Sequence, residues 1–347
     1  MLGNTINSDI YVGSVVETLV NEMAIDAQAL ATTKFAQYLD KFGVDQNPSL
    51  KTLQGEGVLK EGALTLSSQH KWINGESKSV TDVSVYKWNT DGLKEALVET
   101  DTDFINVKNF VDVNVNALSD TGTTVNVYGA KRGDISTGNG NDVVNVHVQS
   151  NGAAWSNHFE IDTGDGNDTI SFFEIAGGDY TEFNISAGKG NDVVNVAGLS
   201  EADCNTHRIV HGGEGIDALY LSGNNALEFT GFEVVIGDGA SDLHITQELL
   251  DNNVAGSWED NPDGSANVMV FTDVNLTIDA GLVEYASYFS TYTAEDLTGA
   301  MTQRLADFGV DYTAQYTIAE FYTESGDYLI VTDTNASDLI DSVIDYV

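Results

Sequence analysis

What this 347-residue chain lacks excludes several kinds of chemistry at the outset. Its one cysteine, Cys204, rules out an intramolecular disulfide and a paired-cysteine metal framework. Only Pro48 and Pro262 are present, so the chain must turn on its 34 glycines. Lys and Arg number 14 against 54 Asp and Glu, a formal net charge of −40. Such a field repels nucleic-acid phosphates and anionic membrane surfaces, excludes both as partners, and attracts multivalent cations. No apolar run of about 18 residues occurs, which excludes an ordinary membrane-spanning helix. The first basic residue is Lys34, preceded by Asp9, Glu17, Glu22 and Asp26, so no Sec-type leader with a basic start is expected.

Catalytic signatures are missing too. His70, His147, His158, His207, His211 and His244 make no H-E-x-x-H or comparable zinc spacing. No P-loop or nucleophile elbow occurs. These absences predict a protein that is not an enzyme. The apolar fraction, 41%, is nevertheless that of a globular chain, and the length suits about two domains.

The charge is unevenly placed. Up to residue 132 the chain carries 11 Lys and Arg against 17 acids, a net of −6. From residue 133 onward only Lys189, Arg208 and Arg304 oppose 37 acids, a net of −34.

The acidic part holds a repeat. Thr137-Gly-Asn-Gly-Asn-Asp142, Thr163-Gly-Asp-Gly-Asn-Asp168, Ala187-Gly-Lys-Gly-Asn-Asp192 and Gly212-Gly-Glu-Gly-Ile-Asp217 align, with their Asp residues 26, 24 and 25 apart. Gly237-Asp-Gly-Ala-Ser-Asp242 keeps the interval of 25 with one extra residue in the turn. Each motif runs into an alternating stretch. Val144, Ile170, Val194 and Leu219, then Val146, Phe172, Val196 and Leu221, fall on one face, and Asn145, Ser171, Asn195 and Tyr220 on the other. Short strands precede the turns at His158–Ile161, Glu182–Ile185 and Arg208–Val210. Two strands and two turns per roughly 25 residues describe a β-solenoid with stacked aliphatic ladders inside. Phe110–Val115 and Thr124–Val127 read as starting coils without the glycine turn.

The turns resemble the G-G-x-G-x-D-x-U-x nonapeptides of the RTX (repeats-in-toxin) family, over residues 133–245. The resemblance implies a mostly β chain built on a right-handed parallel β-roll that binds Ca²⁺. Calcium takes 6–8 oxygen ligands, more than one turn can supply, so sites are expected between successive turns. The expected ligand positions are Thr137, Asn139, Asn141 and Asp142; Thr163, Asp165, Asn167 and Asp168; Ala187, Lys189, Asn191 and Asp192; Gly212, Glu214 and Asp217; and Asp242. The family coil has two nonapeptides, whereas here each longer coil has one glycine turn. One row of calcium ions is therefore expected, with a variable loop such as Ser150–Asn157 on the opposite edge.

The ends read differently. Ser14 and Glu17 form a capping box for a helix over 14–42, and Thr293 with Asp296 caps a second over about 293–308. Gly62–Ser67 and Val80–Tyr86 alternate as strands. Both helices finish alike, Leu39-Asp-Lys-Phe-Gly-Val-Asp45 and Leu305-Ala-Asp-Phe-Gly-Val-Asp311, from shared stop chemistry or because both cap the solenoid and stack between molecules. The acidic, aliphatic stretches Ala319–Asp333 and Ser337–Val347 resemble the uncleaved signals of type I secretion substrates. The expected division is an N-terminal helix-and-strand cap over 1–100, a calcium-binding solenoid over 101–290, and a C-terminal α+β cap with the export signal over 291–347.

Three function classes follow. First comes a secreted, calcium-folded surface or structural protein, such as an S-layer, matrix or filament subunit that binds copies of itself. Second is an adhesin or ice-binding module, with a cell-surface polysaccharide as a candidate partner. For ice, Asn141, Asn167 and Asn191 supply half a flat row, but Asn139, Asp165, Lys189 and Glu214 break the lattice match. Third is a polysaccharide-acting enzyme, which needs a cluster of basic residues that 133–290, with Lys189 and Arg208 alone, does not provide.

Overall fold

The computed structural model describes residues 10–11, 64–85, 95–148, 157–174, 181–198, 207–222, 227–253, 266–279, 281–282, 289–293, 317–322, 327–334 and 338–339. The helix expected over 14–42 lies outside them, as does 294–308 of the second, whose expected cap Thr293 closes a strand. The described residues are mostly strand, arranged in long parallel sheets, with one helix. The chain divides into two compact units, Met1–Gly166 with Glu174–Ile185, and Asn167–Phe173 with Ser186–Val347.

The first unit holds β1 (Ile10–Tyr11), β2 (Leu64–Ile73), β3 (Glu76–Val85), β4 (Glu95–Thr100), β5 (Phe104–Lys108), β6 (Asp112–Ala117), β7 (Thr124–Ala130), β8 (Arg132–Ser136), β9 (Val143–Val148) and β10 (Asn157–Asp162). Within it, one sheet runs β2-β3-β5-β7-β9 and the other β1-β4-β6-β8-β10. Asn74 and Gly75, at φ 52 and 86, make the tight turn of the antiparallel β2–β3 hairpin. From β3 and β4 onward, pairing is parallel, and successive strands alternate between the two sheets.

That alternation follows from period-two burial. Ile105, Val107, Val125, Val127, Val144 and Val146 are buried from one sheet, and Val113, Val115, Ile135, Phe159 and Ile161 from the other. Each such side chain contributes about 1.5–3 kcal/mol when fully buried. The packing is close. The ring of Phe159 lies against Gly133, where an added Cβ would sit 2.7 Å from the ring.

The second unit holds β11 (Thr169–Glu174, save its last residue), β13 (Val193–Gly198), β14 (Arg208–Glu214), β15 (Ala218–Tyr220), β16 (Glu228–Thr230), β17 (Val234–Ile245), β18 (Ala266–Ile278), β19 (Phe289–Thr293), β20 (Thr317–Tyr322) and β21 (Asp327–Thr332). Between these groups in the chain, β12 (Thr181–Lys189) gives Thr181–Ile185 to the first unit and 186–189 to the second. One sheet of the second unit runs β11-β13-β15-β17-β18-β21-β20-β19, and β14 pairs with β16 in another. Pairing is parallel from β11 to β21 and antiparallel along β21-β20-β19.

Paired residues lie 24 apart between β11 and β13 (Thr169 and Val193) and 25 apart between β13 and β15 (Val193 and Ala218). The interval falls to 16 between β15 and β17 (Ala218 and Val234). Ala218, Val234, Val268, Val270 and Val331 form one core cluster. The helix α1 (Gln247–Asn253) begins at Thr246, whose hydroxyl accepts the Leu249 N–H, and Asn253 at its end holds β16 by donating to the Phe229 carbonyl.

Gly133→Ala should destabilise the chain by about 1–3 kcal/mol through overpacking. Phe159→Leu in the same chain should recover part of that loss, read as a favourable coupling in a denaturant double-mutant cycle.

Candidate metal centre

The residue just before each of the strands β5 and β9 in the first unit, and β11, β13, β15 and β17 in the second, lies at the edge of its sheet. At Asp103, Asp142, Asp192, Asp217 and Glu233 a side-chain oxygen accepts the backbone N–H of a residue one coil earlier. In the first unit, Asp103 accepts from Ser79 N–H at 2.7 Å and Asp142 from Thr123 N–H at 2.5 Å. In the second, Asp192 accepts from Asp168 at 2.7 Å, Asp217 from Asp192 at 2.8 Å, and Glu233 from Asp217 at 2.8 Å. The backbone closes the same edge in the other sense, since the carbonyls of Asp168, Asp192 and Asp217 accept the N–H groups of Val193, Ala218 and Val234.

Asp142, Asp168, Asp192, Asp217 and Glu233 are all buried. One carboxylate oxygen each of Asp142, Asp192, Asp217 and Glu233 is committed to the ladder. The second oxygens of Asp192 and Asp217 are also out of water, and neither has a donor. A buried carboxylate oxygen with no donor is costly while ionised. Burial pushes the Asp192 carboxyl up to about 7, with the neighbouring Asp168 charge adding to it. Asp217 is pushed up to about 8, again chiefly by burial, with Glu233 and Asp192 contributing. Glu233 rises to about 7 and Asp142 moves in the same direction, both from burial. Asp103 behaves oppositely. The Ser79 hydroxyl and backbone N–H both donate to it and hold it below its ordinary value.

Glycine makes this edge tight enough to bury the column. In the first unit, the Asp165 N–H reaches the Gly138 carbonyl at 3.1 Å and the Gly140 N–H reaches the Asp165 carbonyl at 2.7 Å. In the second, a Cβ on Gly215 (φ 145) would overlap the Gly190 carbonyl oxygen. Gly212 is crowded in the same way. A Cβ there would overlap the Gly231 carbonyl oxygen and lie 2.9 Å from Asp217 Oδ2, so only glycine lets the turn close over that carboxylate.

The expected ligand positions separate into two sets. Asp142, Asp168, Asp192 and Asp217 lie in the buried column, and Thr137, Thr163, Ala187 and Gly212 are buried at the turn entrances. The Thr137 hydroxyl donates to the Thr163 carbonyl at 3.2 Å. Asn139, Asn141, Asp165, Asn167, Lys189, Asn191 and Glu214 are exposed. Among these, Asn139 bridges to Asp165, and Lys189 pairs with Glu214 at 3.5 Å. Asn167 Oδ1 accepts the Asn191 N–H and Asn191 Oδ1 the Ile216 N–H, so these asparagines knit turn to turn. Asp242 lies inside β17, exposed and accepting from Asn275 at 3.0 Å.

The position after Asp217 is taken by Glu233, which the interval of 25 passes over. Thr230-Gly-Phe-Glu233-Val-Val235 is a shortened copy of the Thr-Gly…Asp-Val-Val pattern and carries the signal that would have found it.

The donor set is entirely oxygen, which suits a hard divalent cation and not a soft one. Among the described residues no three His, Cys, Asp or Glu side chains converge. Any cation at the column would therefore be held by one or two carboxylates, with carbonyl and water oxygens completing the shell. Asp192 and Asp217 fit that role through the second oxygen of each. Among the described residues no helix is long and apolar enough to cross a membrane. No family model, curated protein or solved structure matches the chain.

The raised carboxyls set a pH dependence. Their folded values lie above the ordinary 3.8 of Asp, so the folded chain binds more protons than the unfolded chain between about 4 and about 8. In chelator, stability should be greatest at about pH 4, fall as pH rises from there, and level off above about 8. Below 3.8 it should fall again as Asp103 protonates. Thermal melts in chelator across pH 4–9 read this directly, and Asp217→Asn should flatten the alkaline limb.

Proposed function

We propose that this chain is a secreted calcium-binding protein of the RTX kind, a structural or surface subunit that folds and assembles on meeting extracellular Ca²⁺. The observation that carries this reading is the pair of buried oxygens, Asp192 Oδ2 and Asp217 Oδ2, that have no donor. A ladder that needed only an acceptor for a backbone N–H would be served by asparagine without the charge. The carboxylate adds a second oxygen and a negative charge, and both call for a cation. In this reading the parallel sheets are a right-handed β-roll with coils of about 25 residues over the glycine motifs, capped at both ends.

Bound calcium supplies positive charge that keeps the column ionised and joins one glycine turn to the next. The chain's own groups do the rest. The Asp side chains hold the turns in register through the N–H ladder, and the glycines let the turns close over the carboxylates. Calcium is scarce in cytoplasm and abundant outside cells, so neutralisation by calcium, and the closing of the column with it, waits for export. The acidic C-terminal stretch, like those of type I secretion substrates, supports that route. The net charge of −40 exceeds what a few ions offset, and leaves carboxylates for calcium bridges between copies. The exposed Lys189–Glu214 pair disfavours the ice-binding alternative, because mixed charge breaks a flat row of hydroxyls and amides.

At pH 7.5, circular dichroism should show strand signal that grows on adding calcium to chelated protein. An unchanged spectrum contradicts calcium-coupled folding. Asp192→Asn and Asp217→Asn each keep the acceptor for the ladder and should raise the calcium midpoint by about tenfold or more. Assembly is tested separately by electron microscopy in millimolar calcium, where ordered arrays or filaments are expected and persistent monomers count against the subunit role.

A further inference from the structure

Within the first unit, the outward faces of its two sheets differ in kind. The face of β6, β8 and β10 carries Asp112, Asp134, Glu160 and Asp162, with Arg132 paired to Asp112 and His158 beside Glu160. The outward face of β3, β5, β7 and β9 carries amides. Its central row is Asp82, Asn106, Asn126 and Asn145, placed side by side by parallel register. Asn106 Nδ2 donates to Asp82 Oδ1 at 2.8 Å, Asn126 Nδ2 to Asn106 Oδ1 at 2.8 Å, and Asn145 Nδ2 to Asn126 Oδ1 at 2.9 Å. The one carboxylate of the row is matched by Lys71, whose ammonium lies 2.5 Å from Asp82 Oδ2.

An amide has two N–H donors and two lone pairs on its oxygen. The ladder uses one N–H of each asparagine, and one lone pair each of Asn106 and Asn126. What remains is a line of paired donors and acceptors at the strand spacing of about 4.8 Å, held rigid by the ladder. The row beside it is Lys108, Tyr128 and His147. Tyr128 is 45% exposed, one of three large apolar side chains so exposed among the described residues. Its ring is held by its neighbours. Lys108 Nζ stands 5.2 Å from the ring centre and the His147 ring lies 5.4 Å away, tilted by 41°.

We infer that this face binds an uncharged polysaccharide lying across the strands, with Tyr128 as the stacking platform and Asn106, Asn126 and Asn145 as the row that reads its hydroxyls. A rigid aromatic ring offers a sugar its apolar face at little entropic cost, and fixed amides satisfy hydroxyls that give and take hydrogen bonds. Charge selects the class of polymer. The strip's one carboxylate is matched by Lys71, and its other ammonium, Lys108, is turned onto the Tyr128 ring, so neither a cation nor a polyanion is called for, and the chain's net charge of −40 opposes a polyanion further. None of these residues belongs to the carboxylate column, so the inference stands or falls apart from calcium binding.

The test is retention of the full-length protein, in millimolar calcium, on microcrystalline cellulose, chitin and cross-linked dextran, with alginate as the anionic control. Retention on at least one neutral polymer is expected. Tyr128→Ala, an exposed change whose fold is checked by circular dichroism, should weaken it by about tenfold or more. Glu160→Gln on the other sheet should leave it unchanged. Failure to bind any of the three neutral polymers, preferential binding to alginate, or equal retention of Tyr128→Ala would each overturn the proposal.

Discussion

A carboxylate buried with one oxygen that no protein group donates to is the constraint on which the rest of this structure turns. Asp192 and Asp217 each spend one oxygen on the N–H of the preceding coil and bury the other without a donor. Removing that charge from water costs several kcal/mol unless a proton or a metal ion neutralises it. The same side chains also set the register between coils. Holding the coils together and carrying an unshielded charge are therefore one property of one group. Neutralisation, by a proton or a cation, and folding become coupled, which is the physical basis of the calcium-dependent folding proposed above.

The contrast within the first unit makes the point sharper. Asp103 occupies the same kind of position as Asp142, before a strand and accepting the N–H of an earlier coil. It receives the Ser79 hydroxyl as well, and its carboxyl sits low. Asp142 is buried and its carboxyl sits high. The fold can thus build this edge from a satisfied carboxylate without any ion. Where the glycine motifs bring the turns into contact, burial removes that option. The glycines and the pressure on the acids therefore belong together, because turns that stack backbone on backbone bury the column.

Much of this was legible in the residues. Alternation alone placed Val144, Val146, Ile170, Phe172, Val194 and Val196 on one face, and all are buried. The motif spacing put Asp142, Asp168, Asp192 and Asp217 at equivalent positions, and all four are buried. Period two and glycine placement are local properties, so a linear pattern carries them. Glu233 escaped because the register shortens to 16 residues between β15 and β17, and a search at a fixed interval steps over it. Asp242 kept the interval, yet it lies in the middle of β17 with Asn275 as its partner. A one-dimensional repeat does not say where a coil contracts. Asn145 was expected on the outward face, but the ladder through Asn126 and Asn106 to Asp82 arises from registers of 19, 20 and 24 residues that no single period predicts.

Anomalous diffraction from crystals grown in calcium would test the central claim most directly. The account predicts a cation peak within about 2.3–2.6 Å of Asp192 Oδ2 or Asp217 Oδ2. It also predicts that the peak disappears in Asp217→Asn if that side chain is its ligand. Well-ordered crystals in millimolar calcium with no peak beside either oxygen would contradict it, and would leave the column as a protonated hydrogen-bond ladder.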